Sequence, residues 1–278
     1  MIIKEGGEQV EAPVNNTIIG NFQEKNCRIT FKGTGNILCC EDDTRLQDCN
    51  ITFCSDNAVV YLAANRRHWT KMKIDAWRDT SVYVGRNNYF NGILTAIVSE
   101  RKNLLIGDNG VFSFGIWLRT ADPHLIYSIE TNERINPSKS ILIGDHVWLG
   151  QNALILKGTQ IGSGSVLAAG AVIAGKKMLS NTVWGGNPAC QIKDGIFFSG
   201  ESVHNYTAEQ TAASMKSKEN KYIFKLKGKQ VTLADADAKL EGRTPEERLA
   251  VLRELAADNT DRNRFCISSG RKKLLGRF

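Results

Sequence analysis

The chain has 278 residues, 42% hydrophobic and 23% charged, with a formal net charge of +7. This length predicts one large domain with an appendage, and the composition is ordinary for a globular protein. The N-terminal segment carries charges from Lys4 and Glu5 onward and has no apolar core typical of a signal peptide. No apolar run approaches the roughly 18 residues of a membrane-spanning helix. We therefore expect a cytoplasmic protein, or one bound peripherally at the inner face of the membrane.

The first part of the chain shows the alternation of apolar and polar residues that is typical of half-buried β-strands. Residues 27–83 contain several such segments, separated by turn residues. Farther along, apolar residues recur at intervals of six, first at Val84, Phe90 and Ala96, and then at Ile106, Phe112 and Leu118. We predict irregular solenoid coils over residues 20–83 and regular coils over residues 84–175.

The most regular stretch begins at Ile143, where a large aliphatic residue occupies every sixth position. These anchors are Ile143, Leu149, Ile155, Ile161, Leu167 and Ile173. A helix repeats near 3.6 residues and a strand at 2, so neither explains a period of six. Short internal periods indicate a β-solenoid, in which three six-residue units form one triangular coil. The anchors point inward, and the small residues near them allow the chain to turn each corner.

The region after the ladder predicts a closing segment over residues 176–198 and a separate, mostly α-helical region over residues 199–278. Thr244 is a typical N-cap, with Pro245 at the first helical position and Glu247 three residues beyond the cap. Leucines at 249, 252 and 255 then give one apolar face, which predicts a helix near 245–257. The domains predicted are thus a β-helix over 1–198 and a C-terminal region over 199–278.

The positive charge belongs to the C-terminal region. Residues 1–214 contain 20 Lys and Arg and 20 Asp and Glu, whereas residues 215–278 contain 16 and 9. A basic appendage favours an acidic partner, such as an anionic polymer or a membrane surface. Contact with the capsule machinery through the same basic residues is a further expectation. Nucleic acid is the less favoured partner. A solvated tail that binds nothing fits the composition equally well.

The ladder is interrupted between Leu118 and Ile143, which lie 25 residues apart rather than 18. About seven extra residues are therefore predicted to project as a loop, because they cannot enter a packed interior. The loop holds His124, with Asp122 two residues before it. Histidine suits a base near neutral pH. A single loop histidine is more commonly just a surface residue, but a rigid solenoid beside it favours a functional role.

Four motifs together resemble the hexapeptide-repeat acyltransferases: the D-x-H loop at 122–124, IGDHVWLG at 143–150, the ladder itself and GNPA at 186–189. The resemblance covers residues 84–193 and extends to O-acetyltransferases of bacterial capsule and surface polysaccharides, including those that act on sialic acid polymers. It implies a left-handed parallel β-helix that assembles as a homotrimer. It also implies acetyl-CoA as the acyl donor and a carbohydrate or anionic polysaccharide as the acceptor.

The resemblance assigns expected roles to single residues. His124 matches the general base, and Trp148 matches a tryptophan at the thioester end of the donor, with packing at a corner as its alternative. Asp122 either orients the imidazole or caps a turn. His146 is expected at an outward surface corner. Donor-binding positions are expected at Trp148, Ala168, Ala169, Lys176, Lys177, Gly186, Asn187, Pro188 and Ala189, with Trp184 as a stacking partner for adenine.

Further expectations concern the acceptor and metals. Arg119 or Arg134 is expected to receive an acceptor carboxylate. No metal is expected, because the four histidines do not assemble the three-histidine site of the carbonic anhydrases that share this solenoid. The seven cysteines include no C-x-x-C pair, which favours reduced thiols. Two alternatives to O-acetylation stay open: N-acetylation of an amino sugar, and a non-catalytic scaffold that recruits a partner through its basic tail.

Overall fold

The strands of the computed structural model, which describes residues 2–3, 15–217, 221–226, 230–258 and 264–268, form three long sheets. Sheet I contains β1 (Ile2–Ile3), β4 (Arg28–Phe31), β7 (Asn50–Phe53), β9 (Met72–Ala76), β12 (Leu94–Val98), β15 (Trp117–Arg119), β18 (Leu154–Leu156) and β21 (Val172–Ile173). Sheet II contains β2 (Thr17–Ile19), β5 (Ile37–Cys40), β8 (Val59–Leu62), β10 (Ser81–Val84), β13 (Asn103–Ile106), β16 (Ile141–Ile143), β19 (Gln160–Ile161) and β22 (Lys177–Met178).

Sheet III forms the remaining side of the prism. It contains β11 (Tyr89–Phe90), β14 (Val111–Phe112), β17 (Trp148–Leu149), β20 (Val166–Leu167), β23 (Val183–Gly186) and β24 (Ala189–Lys193). A small parallel pair, β3 (Gln23–Lys25) and β6 (Arg45–Gln47), lies in the early coils. From β2 to β23, successive strands belong to different sheets and each strand pairs in parallel with its neighbours in the adjoining coils, so the chain winds as a β-solenoid; β1 pairs antiparallel with β4. The β23–β24 hairpin closes it with an antiparallel pair.

The ladder residues fill the interior. All six anchors from Ile143 to Ile173 are fully buried, together with Phe90, Phe112 and Leu118 from the earlier coils. Burial of each such side chain contributes roughly 1.5–3 kcal/mol. The corners need small residues for a steric reason. A Cβ on Gly150 would stand 2.4 Å from the backbone nitrogen of Ala169 in the next coil.

The coils differ in length, and this changes the size predicted for the insertion. In the early coils Val59 pairs with Ser81, 22 residues later, whereas Gln160 pairs with Leu142 after 18. The coil that holds the insertion takes 37 residues, from Leu118 to Ile155. This coil is therefore 19 residues longer than a short coil, so the insertion has about 19 residues, and the predicted length of seven residues was wrong. Leu118 lies in sheet I and Ile143 in sheet II. The spacing expected between them without an insertion is therefore one side of the prism, and the prediction compared it with a full coil instead.

The C-terminal region packs on the outer face of sheet II. Its helices are α1 (Ala208–Ser214), α2 (Leu233–Ala238) and α3 (Pro245–Ala257), and α3 begins after the N-cap Thr244 in a capping box. The outward side chains of sheet II are apolar and form a second core with α2, α3 and Phe265. This core includes Ile37, Val59, Tyr61, Tyr83, Leu105, Leu142, Leu233, Leu249, Leu252 and Leu255.

Two cations of this region are buried rather than solvated. Arg248 donates to the Thr80 carbonyl at 3.0 Å, and Arg264 forms ion pairs with Asp108 and Asp145. The described part of the basic region is thus a folded layer and not a solvated tail. The last residues, 269–278, lie outside the described residues, and the predicted contact of a basic tail with a membrane or capsule machinery stays a prediction. Among the described residues, no helix has the length and hydropathy to cross a bilayer.

Candidate active site

The insertion forms a projecting arm, defined here as residues 120–140, between β15 of sheet I and β16 of sheet II. Its outer part is a hairpin in which Tyr127 bridges Arg134 and the Ile135 amide donates to the Ile126 carbonyl at 2.9 Å. At its base, the Lys139 amide donates to the Thr120 carbonyl at 3.1 Å. The arm therefore leaves and re-enters the solenoid at one edge, where sheet I turns into sheet II.

His124 lies at the exposed base of the arm, and its position is fixed through its backbone. The Asn136 side-chain amide donates to the His124 carbonyl at 2.8 Å, and the Ile126 amide donates to the Asn136 Oδ1 at 2.9 Å. The imidazole forms no hydrogen bond with the described residues and faces solvent. An exposed imidazole on a fixed backbone is available to a substrate hydroxyl.

The Asp122 carboxylate forms its hydrogen bonds with two side chains other than the imidazole of His124. Its Oδ2 accepts a hydrogen bond from Lys157 Nζ at 2.5 Å and another from Asn136 Nδ2 at 3.1 Å. The bond from Lys157 lowers the pKa of the Asp122 carboxyl. The geometry therefore does not support imidazole orientation by Asp122, and the carboxylate instead fastens the arm to the next coil.

The two arginines of the arm edge differ in availability. Arg134 forms a bidentate ion pair with Glu100, and the Glu100 carboxylate also accepts a hydrogen bond from the Ser138 hydroxyl. These bonds lower the pKa of Glu100 to about 2. Because its guanidinium is already engaged, Arg134 is not retained as an acceptor-binding residue. Arg119 at the end of β15 keeps its Nε–H without a partner among the described residues.

Trp148 lies on β17, on the outer face of sheet III, with 41% of its surface exposed. In its row, Val111 and Val166 flank it in the neighbouring coils, and Phe198 packs against the indole with ring centroids 5.9 Å apart. In a triangular prism, sheet III lies opposite the edge where sheets I and II meet. His124 and Trp148 of one chain therefore lie on different sides of the solenoid.

The positions predicted to bind the donor lie near the last coils. The Ala168 amide donates to the Trp184 carbonyl at 2.8 Å, so this residue lies beside the strand that leads to the turn Gly186–Ala189. Residues 186–188 of this turn are exposed, whereas Ala189 is buried in the main core and does not present its side chain to a ligand. Ala169 is exposed at the same edge as Ala168. Ala168 and Ala169 precede strand β21, whereas Lys176 and Lys177 follow it and are exposed. An extended ligand would have to run along β21 to reach both groups.

Two further predictions were wrong. His146 is buried at 3% exposure, with Nδ1 at 3.2 Å from the Asn109 carbonyl and Nε2 at 3.0 Å from the Phe198 carbonyl. It is covered because Phe198 of the closing segment and Tyr222 of the C-terminal region stack on the imidazole. Trp184 packs against the main core, because its position in β23 pairs with the buried anchor Leu167, and it is not free to stack on adenine.

Sequence reasoning missed Asn136 and Lys157. Asn136 is 6% exposed although most of the arm is open to solvent. The only sequence signal at this position is an Asn before a Pro, which predicts no more than a turn. The described residues contain no group of three or more His, Cys, Asp or Glu side chains placed to hold a metal ion.

The comparisons with known proteins agree with this architecture. The family model for the bacterial transferase hexapeptide (six repeats) matches residues 140–175. A polysialic acid O-acetyltransferase from Neisseria meningitidis is 31% identical over 151 residues, which cover 53% of this chain and 69% of that protein. The chain belongs to the hexapeptide-repeat acyltransferase family. A second polysialic acid O-acetyltransferase, from Escherichia coli O1:K1 / APEC, is 33% identical over 50% of this chain and 44% of its own length.

A solved structure extends the similarity beyond the ladder. The polySia-specific acetyltransferase NeuO superposes with a TM-score of 0.62 at 27% identity, over 72% of this chain and 95% of that one. The predicted left-handed β-helix with a small helical C-terminal part is thereby confirmed. The prediction of an enzyme of the acyltransferase class is confirmed as well.

Proposed function

We propose that this protein is an acetyl-CoA-dependent O-acetyltransferase that modifies a hydroxyl of a bacterial capsule or surface polysaccharide containing sialic acid. The observation that carries the proposal is the fixed but exposed His124 at the base of the arm, on a chain of this family. The relatives named above act on polysialic acid, which supports the choice of acceptor. We place the reaction in the cytoplasm, where acetyl-CoA is available.

The proposed reaction is a direct transfer. His124 accepts the proton of the acceptor hydroxyl while the hydroxyl oxygen attacks the thioester carbonyl carbon. The new C–O bond forms, the C–S bond breaks, and the proton passes from the imidazole to the leaving CoA sulfur. A positioned base contributes about 10²–10⁴-fold to the rate. The exposed Trp148 offers an indole N–H as a donor to the sulfur or to the developing oxyanion.

The site is proposed to form between two chains of a homotrimer. His124 and Trp148 lie on different sides of one chain, so one copy does not bring them together. The arm also exposes a set of large apolar side chains that a second copy would cover: Leu125, Ile126, Tyr127, Ile129 and Ile135, of which Ile129 is 97% exposed. Exposed apolar surface of this kind marks an interaction site. A head-to-tail contact that closes after three copies gives a trimer.

Both substrates find complementary groups near this interface. For the donor, we propose that the pantetheine arm follows Ala168, Ala169 and the Gly186–Ala189 turn. Lys176 and Lys177 are the cations for the CoA phosphates, because lysine is a competent phosphate partner. For the acceptor, we propose that the half-buried Arg119 at the end of β15, beside the arm, receives a sialic acid carboxylate, because a guanidinium matches a carboxylate in geometry.

The test is acetyl transfer from labelled acetyl-CoA to a panel of polymers and sugars, with free CoA measured in parallel. We expect label in an α-linked sialic acid polymer as an ester that mild alkali removes. A His124→Ala variant is expected to lose at least about 10²-fold in kcat, whereas His204→Ala, which changes another exposed histidine, is expected to keep full activity. Full activity of His124→Ala would remove the base from the proposal.

The same panel separates the alternatives. Alkali-stable label on an amino sugar would replace O-acetylation by N-acetylation, because amides resist mild alkali and esters do not. No acetyl transfer to any acceptor would favour a scaffold role.

A further inference from the structure

Asn136 uses its whole hydrogen-bonding capacity on four groups of the arm, two of which belong to the backbone at His124 and Ile126. Its Nδ2 donates to the His124 carbonyl and to Asp122 Oδ2, at 2.8 and 3.1 Å. Its Oδ1 accepts from the Ile126 amide at 2.9 Å and from Arg134 Nε at 3.3 Å. A side-chain amide has two donor hydrogens and two acceptor lone pairs, and all four are satisfied here.

No other side chain matches this pattern at the same length. Alanine would remove all four bonds. Aspartate would keep the two acceptors, lose both donors and add a second carboxylate beside Asp122, and like charges that close repel. The arm therefore depends on an amide at this position, and because Asn136 is buried, water does not replace it readily.

Lys157 connects this cluster to the rigid part of the molecule. It follows β18 in the next coil, and its ammonium group donates to Asp122 Oδ2 at 2.5 Å and to the Asn136 carbonyl at 3.0 Å. It is half-buried, with 21% of its side chain exposed. The cation thus joins the two strands of the arm base and holds both against a coil of the regular ladder.

We propose that Asn136 and Lys157 are positioning residues, which set the place of the His124 imidazole relative to the acceptor hydroxyl. The inference rests on the proposed function of His124 as the base. The imidazole has no hydrogen-bond partner among the described residues, so the backbone bonds to Asn136 constrain its location. Displacement of a reacting group by about 1 Å costs about 10²-fold in rate.

The test compares Asn136→Ala and Lys157→Met with Lys139→Met, which changes an exposed lysine at the end of the same arm. Both positioning variants are expected to lower kcat by about 10- to 100-fold with an unchanged KM for acetyl-CoA. Lys139→Met is expected to match the parent protein. Circular dichroism and sedimentation velocity verify folding and assembly, and if Asn136→Ala does not fold, Lys157→Met decides the question.

A second measurement separates positioning from a general structural role. In a His124→Ala background, Asn136→Ala is expected to have no further effect on the residual kcat, because the group it positions is gone. An equal loss in both backgrounds would overturn the inference. If His124→Ala is inactive while both positioning variants keep parental kcat, the inference fails and the proposed function stands. If His124→Ala itself is fully active, the proposed function fails first.

Discussion

Arg264 is the buried cation that fastens the C-terminal region to the solenoid, and Arg264→Met is expected to destabilise that region strongly. The guanidinium is 2% exposed and contacts Asp145 at 2.7 Å and Asp108 at 2.9 Å. It also donates to the carbonyls of Leu255 and Asp258 at 3.0 and 2.8 Å, at the end of α3. Removing one partner of a buried ion pair costs about 3–5 kcal/mol, because the remaining charges are left uncompensated.

The expected consequence is a fall in the unfolding midpoint by roughly 5–9 °C, because the unfolding entropy scales with the 278 residues of the chain. Circular dichroism at 222 nm is a suitable probe, because the described helices belong to the C-terminal region and the solenoid is built of strands. A matched variant that combines Arg264→Met with Asp108→Asn and Asp145→Asn removes the carboxylate charges as well and is expected to recover part of the loss. An unchanged midpoint in Arg264→Met, or no recovery in the triple variant, would refute this reasoning.

Two other predictions concern the arm. Ile129→Asp places a charge at the 97% exposed tip and is expected to convert the proposed trimer to a monomer in sedimentation velocity, with an unchanged circular dichroism spectrum. A trimer of unchanged stability would contradict a role of the tip in assembly. For Glu100 the folded pKa of about 2 lies below the value of roughly 4.3 for free glutamate. Its stabilisation of the arm is therefore present above pH 4.3 and is lost as the pH falls toward 2. Hydrogen exchange at the Ile135 amide, corrected for intrinsic rates, should show this loss between about pH 4.3 and pH 2 in the parent and not in Glu100→Gln. The same pH dependence in both proteins would contradict the assignment.

The ladder made the solenoid predictable because the inward side chains carry a period that no other regular structure has. The outer faces were harder to interpret. Five strands of sheet II, β5, β8, β10, β13 and β16, are buried on both faces, and their sequences are correspondingly apolar, as in VVYL at 59–62. Alternation is expected for a strand with one solvated face. The doubly apolar strands were thus a sequence signal that another layer, here α2 and α3, covers this sheet.

The site was predictable only in part, for a different reason. His124 and Trp148 are recognisable as candidates because they stand at the motif positions to which the family resemblance assigns the base and the thioester end of the donor. Asn136 and Lys157 form hydrogen bonds with backbone groups and with the Asp122 carboxylate. These contacts depend on the folded arm, and no spacing along the sequence predicts them. The error in the length of the arm has a different origin. Ile106, Phe112 and Leu118 lie on three successive sheets, so the anchor after Leu118 was due one side of the prism later and not one full coil later.

The central claim is that His124 of one chain and Trp148 of its neighbour form one acetyl-transfer site. The most direct measurement is a complementation assay with His124→Ala and Trp148→Ala chains, each of which is expected to be inactive alone. The two chains are mixed at equal concentrations and reassembled, and acetyl transfer to the polymer is measured. Random trimers with three equivalent interfaces are expected to regain about a quarter of the parental activity, because one interface in each mixed trimer combines an intact His124 with an intact Trp148. Activity no greater than the sum of the two separate variants would contradict the account.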